Sequence, residues 1–148
     1  MELEAGLQWW LLDHDLHQNL QVLLADLNQY YKNTPAIYEQ QFSPEGFEWV
    51  ASDDGDNSMI AYIRKGVEGQ KIQLIVCNFT PIVRENFNIG VLKAGKWREI
   101  LNSDNKKYGG SGIKNEGVLT TNDWESHGKP FSLTISLPPL ATVIFEPV

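Results

Sequence analysis

Three groups of titratable side chains have residue types that could do chemistry. Asp123, Glu125 and His127 place two carboxyls and an imidazole on one short segment, the ingredients of acid–base catalysis. Without a defined pocket around them they read as a polar loop. His14 and His17, beside Asp13 and Asp15, could be drawn as metal ligands. Their spacing fits no standard helix pair and no cysteine supports them, so they read as a solvated helix start, and no metal is expected. Asp54-Gly55-Asp56-Asn57 has the residue types of a calcium loop, but the glycine is misplaced and Lys65 stands where a bidentate acid is needed. It reads as a turn. Cys77 is the only cysteine and lies within the apolar run Ile72–Phe79, which suits a buried, inert thiol.

The aromatic side chains offer recognition in place of bond-making. Trp9 and Trp10 are adjacent flat rings able to stack on the apolar face of a ligand or to pack against the rest of the protein. Trp49, Trp97 and Trp124 could form a second platform. Trp97, however, falls in an alternating strand pattern, which points to the core. Tyr108 opens Tyr108-Gly109-Gly110-Ser111-Gly112, where glycines permit dihedrals that other residues avoid. It could meet a ligand or dock on another part of the protein.

These residues need elements to hold them. Leu20, Leu23, Leu24, Leu27, Tyr30 and Tyr31 recur at helical spacing and predict one amphipathic helix. Asp15 is the expected cap, with Gln18 in the capping-box position, and Asn33-Thr34-Pro35 is the expected stop. Thr34 is expected to cap a short helical turn opening at Pro35. From Phe47 the period changes to two. Strands are expected at 47–50, 58–64, 72–79, 86–91, 96–101, 131–137 and 141–145. The run at 72–79 should be central, and Lys93-Ala94-Gly95 signals a hairpin. A loop from Asn102 to about Gly117, rich in glycine, asparagine and lysine, breaks the rhythm, and loops of this length are often functional.

With 148 residues, the chain suits one domain plus a short extra element, large enough to fold without a disulfide or metal staple. Its 42% hydrophobic content is that of a globular protein. A net charge of −7 disfavours nucleic acid and anionic membranes and fits a neutral ligand, a neutral polymer or none. No apolar run is long enough to span a bilayer. The first residues are acidic, unlike a signal peptide, and a lone cysteine suits a reducing interior. Asn78-Phe79-Thr80 matches a glycosylation triplet, but Pro81 follows it.

A longer ordered set of motifs is more specific than any cluster. Leu7-Gln8-Trp9-Trp10-Leu11-Leu12, Asp26-Leu27-Asn28-Gln29-Tyr30-Tyr31 and Thr34-Pro35-Ala36 come first. Phe42-Ser43-Pro44-Glu45-Gly46-Phe47-Glu48-Trp49, Asp56-Asn57-Ser58 and Cys77-Asn78-Phe79-Thr80-Pro81 follow. The stretch from Gly95 to Asp104, then Tyr108 to Gly112, His127-Gly128 and Ser132 to Leu140, completes the set. Together they resemble the bacterial 1,4-α-glucan (glycogen) branching enzymes across essentially the whole chain.

The resemblance implies a mainly β fold: the C-terminal antiparallel β-sandwich of the α-amylase superfamily, preceded by one long α-helix, the last of a truncated (β/α)8 barrel. Residues 1–41 would be the end of that barrel and 42–148 the all-β domain, with Met1 an added start residue. It further implies transfer of α-1,4-glucan segments to 6-hydroxyls by a retaining mechanism whose carboxylates lie on earlier barrel strands absent from this sequence. The fragment would then be inactive alone, cytoplasmic and without cofactor. Its partners would be α-glucan in the parent enzyme and, within the molecule, the missing barrel. Trp9 and Trp10, placed by the resemblance on the active-site side, and Tyr108 are the substrate-contact candidates. A self-standing α-glucan-binding module and the C-terminal domain of another amylase relative, such as a debranching enzyme, are the alternatives.

Overall fold

The computed structural model describes residues 6–67 and 71–148; Met1, read above as an added start residue, lies outside them. The leucine stripe forms helix α1, Asp15–Asn33. Its cap differs from the expectation by one residue. His14, in extended conformation, is the N-cap, Asp15 is the first helical residue, and no side chain caps the end. Asp15 still favours that end, because a carboxylate in the first turn meets the positive pole of the helix dipole. The 3₁₀ turn expected after Thr34 spans Pro35–Ile37, with proline supplying a preset φ, although Thr34 makes no side-chain capping bond.

Among the described residues eight strands follow: β1 Phe47–Ala51, β2 Met59–Arg64, β3 Gln73–Asn78, β4 Arg84–Val91, β5 Lys96–Asn102, β6 Leu119–Thr120, β7 Phe131–Leu137 and β8 Ala141–Pro147. Six make one sheet in the order β1-β2-β3-β8-β5-β6, and β4 with β7 makes a second. Every pairing is antiparallel. The main core lies between the two sheets, where Ile89, Val91, Leu133, Ile135 and Leu137 meet Ala61, Ile63, Leu74, Val76, Val143 and Phe145.

Strand β2 shows the period-two logic directly. Met59, Ala61 and Ile63 are buried, and the residues between them are only partly covered. Strands β3 and β8 read differently because they are central and covered on both faces. Leu74, Val76, Val143 and Phe145 enter the main core, whereas Ile75 and Ile144, paired in register, join a second cluster on the outer face. Burial on both faces removes the polar alternation and leaves the near-continuous apolar run of the sequence.

The hairpin expected at Lys93-Ala94-Gly95 does not form. Strand β4 pairs with β7 and β5 with β8, so this turn carries the chain from one sheet across to the other. The connection at Pro138-Pro139 also crosses between sheets, from β7 to β8. Turn residues specify that the chain reverses, not whether it stays in the sheet or arches over the core. The two-residue strand β6 was also not expected, being too short to show alternation.

Trp97 illustrates what the crossover achieves. Its ring is 0% exposed within the main core, and its indole N–H donates to the Lys93 carbonyl oxygen at 3.2 Å. The turn therefore closes on the side chain that follows it. Trp97→Ala is expected to cost about 3–5 kcal/mol of folding stability through the cavity it leaves, read as a lower urea midpoint. An unchanged midpoint would contradict this packing.

Candidate functional site

The part of the molecule that organises the candidate residues is the joint between α1 and the sandwich. On the outer face of the large sheet, Ile75, Leu101 and Ile144 form an apolar patch to which Tyr30 of α1 adds its ring. The Tyr30 hydroxyl donates to Gln73 Oε1 at 3.1 Å. Burial, aided by the charge of Glu146, pushes this phenol well above its ordinary pKa, so it stays a neutral donor. Just beyond the helix, Ala36 is buried, and Arg64 donates to the Ile37 carbonyl oxygen at 2.9 Å. A cleft of about 640 Å³ remains between helix and sheet, lined in part by Leu27, Tyr31, Phe47, Tyr62 and Ile144.

No residue of α1 is buried. Leu16, Leu20 and Leu24 are 75%, 53% and 53% exposed, and Leu27 and Tyr31 extend the stripe, partly exposed, to the rim of that cleft, where the Tyr31 ring lies beside Tyr38. Of the stripe expected from sequence, Leu20, Leu24, Leu27 and Tyr31 lie on this open face, extended by Leu16, whereas Leu23 and Tyr30 are half-buried. The sandwich leaves it open, because the helix approaches with the edge bearing Asp26 and Tyr30 instead.

Asp26 is met by the long loop after β5. Lys107 Nζ and the Tyr108 hydroxyl both donate to Asp26 Oδ2, each at 2.7 Å. Those two donors, Lys107 first, hold the Asp26 carboxyl below its ordinary pKa. Leu16 and Asn19 lie beside Gly109 of the same loop. Lys107 and Tyr108 are held out by a 3₁₀ turn, Lys106–Tyr108, capped by the Asn105 side chain, which accepts from the Lys107 amide.

A second carboxylate keeps this loop in shape. Asp104, only 8% exposed, accepts from the Ser111 amide (2.8 Å), the Ser111 hydroxyl (2.6 Å) and the amides of Gly112 and Ile113 (3.0 and 3.1 Å). Burial alone would push its carboxyl up; these four donors outweigh that and hold it below the ordinary value. A Cβ on Gly110 would collide with the Asp104 carbonyl, so only glycine allows the loop to close this tightly. Asn102 and Asn115 secure the two ends. Asn102 donates to Glu99 Oε1 and to the Ile113 carbonyl, while Asn115 bonds to Glu99 and to both backbone groups of Ser136.

The structure separates the residues singled out from sequence. Trp9 and Trp10 lie on a 3₁₀ turn, Trp9–Asp13, ahead of α1, and are 67% and 58% exposed. Tyr108 is half-buried, with its hydroxyl engaged three turns along the helix at Asp26. Trp49 packs with Phe47 and Tyr62, Trp124 is exposed, and Trp97 is in the core. The three tryptophans therefore make no common platform. His14 and His17 are neighbours, with ring centroids 6.2 Å apart, and among the described residues no three His, Cys, Asp or Glu side chains gather as metal ligands. Asp54 accepts from both the backbone and side-chain amides of Asn57, as a turn requires. His127, at φ 51°, receives the Gly90 amide on Nδ1 within the 126–129 turn. Among the described residues no helix is long and apolar enough to cross a membrane.

Reading the sequence missed Asp26, Lys107, Asn102, Asp104 and Asn115 as working parts. The available signal was the density of Asn and Asp in a glycine-rich loop, residues that bond to backbone a few positions away. Chemically, the arrangement positions the helix: Asp26, Glu99 and Asp104 accept from internal donors.

The Asp104 network sets a pH dependence. Its folded pKa lies below the unfolded value, so the stability it adds is present above about pH 5 and fades as pH falls through the unfolded value near ~3.9 and on to the folded one. Asp104→Ala is expected to lower stability by about 2–3 kcal/mol at neutral pH and by much less near about pH 2, measured as urea midpoints. Equal losses at both pH values would contradict the assignment.

Residues 49–148 match the family model described as "Alpha amylase, C-terminal all-beta domain". The 1,4-alpha-glucan branching enzyme GlgB of Cereibacter sphaeroides is 46% identical over 144 residues, 97% of this chain and 20% of that protein. That of Aquifex aeolicus is 46% identical over 143 residues, 97% and 23% respectively. That of Halothermothrix orenii is 41% identical over 145 residues, 98% and 23%. The chain thus spans about a fifth of the length of the curated relatives it matches. From its antiparallel sheets and these matches together, the chain belongs to the family of alpha-amylase C-terminal all-beta domains, and along nearly its whole length it is similar to branching enzymes.

Proposed function

We propose that this chain is the C-terminal part of a bacterial 1,4-α-glucan branching enzyme. In this reading, residues 1–41 are the last loop and helix of the catalytic (β/α)8 barrel, and residues 42–148 are the all-β domain that braces it. The parent enzyme would transfer α-1,4-glucan segments to 6-hydroxyls during glycogen synthesis in the cytoplasm, taking α-glucan as substrate. This portion would contribute no catalytic acid; its role is to stabilise the barrel and help shape glucan access.

The observation that carries the reading is the open stripe of Leu16, Leu20, Leu24, Leu27 and Tyr31. An apolar stripe of that length on a helix marks a face made to be covered. Since the relatives it resembles are far longer than this chain, the occupant assigned is the catalytic part that precedes this segment in them. The carboxylates support the same division of labour. Retaining transfer needs a nucleophile and an acid flanking the bond. Asp26, Glu48, Asp54, Glu99, Asp104 and Glu146 instead receive internal donors. Trp9 and Trp10 stay the sugar-contact candidates because their faces are open, whereas the hydroxyl of Tyr108 serves the helix.

Those open indoles also keep the self-standing glucan-binding module as a second reading. Titration with maltoheptaose separates the two: binding at millimolar concentration or tighter by the chain alone, lost on Trp9→Ala/Trp10→Ala, favours the module. The first reading expects no such binding. It also expects that amylose treated with the chain keeps its iodine absorbance, and that the absorbance falls once the chain is joined to the preceding portion of the Aquifex aeolicus relative. Remodelling of amylose by the chain alone would overturn it. Finally, the isolated chain should bind an apolar dye or self-associate, and Leu20→Glu/Leu24→Glu should suppress this without lowering the urea midpoint. A dye-silent, monomeric chain would count against an open stripe.

A further inference from the structure

We propose that the loop between β5 and β6 is a bracket that seats helix α1 on the sandwich, with Asp26 as the residue it grips. When that grip is removed, α1 leaves the sheet while the sandwich stays folded. This inference does not depend on what covers the outer face of the helix, nor on the parent enzyme.

Little else holds the helix. None of its residues is fully buried, and its apolar contact with the sheet is the partly buried Tyr30 ring against Ile75, Leu101 and Ile144. Tyr30 and the turn at Pro35–Ile37 secure its C-terminal end to the sheet through Gln73 and Arg64. Toward the middle of the helix, the part of the sandwich that approaches it is the 3₁₀ turn Lys106–Tyr108. There both attachments converge on one oxygen, Asp26 Oδ2, from a charged and a neutral donor. Charge-assisted bonds of this kind are among the stronger ones available at a surface.

A grip of this kind positions a helix only if the gripping side is stiff, and here it is. The turn hangs from a segment whose carboxylate, Asp104, takes four donors from Ser111, Gly112 and Ile113, and whose far end is tied to Ser136 of β7 by Asn115. Lys106 packs its methylenes against Gly112, adding to the closure. A solvated loop merely connecting strands would need none of these bonds. The bonds fix where Lys107 and Tyr108 stand, and so where Asp26 must stand.

The test is hydrogen–deuterium exchange of the full 148-residue chain, followed by mass spectrometry, on Asp26→Ala, Tyr108→Phe and the double variant. Alanine is the best helix former, so Asp26→Ala favours the helix itself while removing the acceptor. Tyr108→Phe leaves the helix sequence untouched. The expected result is exchange in residues 15–33 faster by about tenfold for Asp26→Ala and by less for Tyr108→Phe, with β3 and β8 unchanged. The double variant should match Asp26→Ala alone, because both act on one bond set. Asp26→Glu, which keeps a carboxylate, should recover part of the protection. The bracket is overturned if exchange in α1 is the same in all variants. It is equally overturned if the helix is unprotected in the unmodified chain, or if β3 and β8 accelerate as much as α1.

Discussion

One buried carboxylate decides the shape of the long loop between β5 and β6. Asp104 is nearly inaccessible and ionised, a costly state unless its oxygens are satisfied. Four donors from the next nine residues satisfy them, and in doing so fold the loop into a fixed form. From that point the connections run outward. The loop presents Lys107 and Tyr108, these meet Asp26, and Asp26 fixes how α1 lies on the outer face of the large sheet. The face of α1 turned away from the sheet is thereby set as well.

The sandwich supplies the stiffness behind this arrangement. Strands β3 and β8 are covered on both faces, the inner by the main core and the outer by the patch that Tyr30 joins. The helix therefore rests, through Tyr30, on strands covered on both faces. Yet apart from the Tyr30 ring its attachments are polar, and Leu16, Leu20 and Leu24 are open to solvent. Two kinds of contact thus divide the helix: a hydrogen-bonded edge toward the sandwich, and an apolar face offered elsewhere.

Much of the fold was legible in residue order. Period-two alternation located seven of the eight strands to within about two residues, and the unbroken run around Ile75 marked the central strand because both its faces are covered. What could not be read was longer in range. The turn at Lys93-Ala94-Gly95 looked like a hairpin, since a tight reversal has one local signature whether the strands pair or arch across a core. The helix start was displaced by one residue because Asp15, a good cap by type, is better used inside the first turn. At the candidate site, Tyr108 was singled out for its glycine-rich setting, but its partner lies 82 residues away, and no local pattern encodes such a pairing. The same holds for Asn115 with Ser136, across 21 residues.

The apolar face of α1 is proposed to be covered by the preceding catalytic part of a branching enzyme. Hydroxyl-radical footprinting tests it directly, by comparing labelling of Leu16, Leu20, Leu24, Leu27 and Tyr31 in the chain alone with labelling after it is joined to that part. The account expects strong labelling in the first case and protection of all five side chains in the second, with Val148 and Trp124 labelled equally in both. Undiminished labelling of the stripe in the joined protein would contradict it.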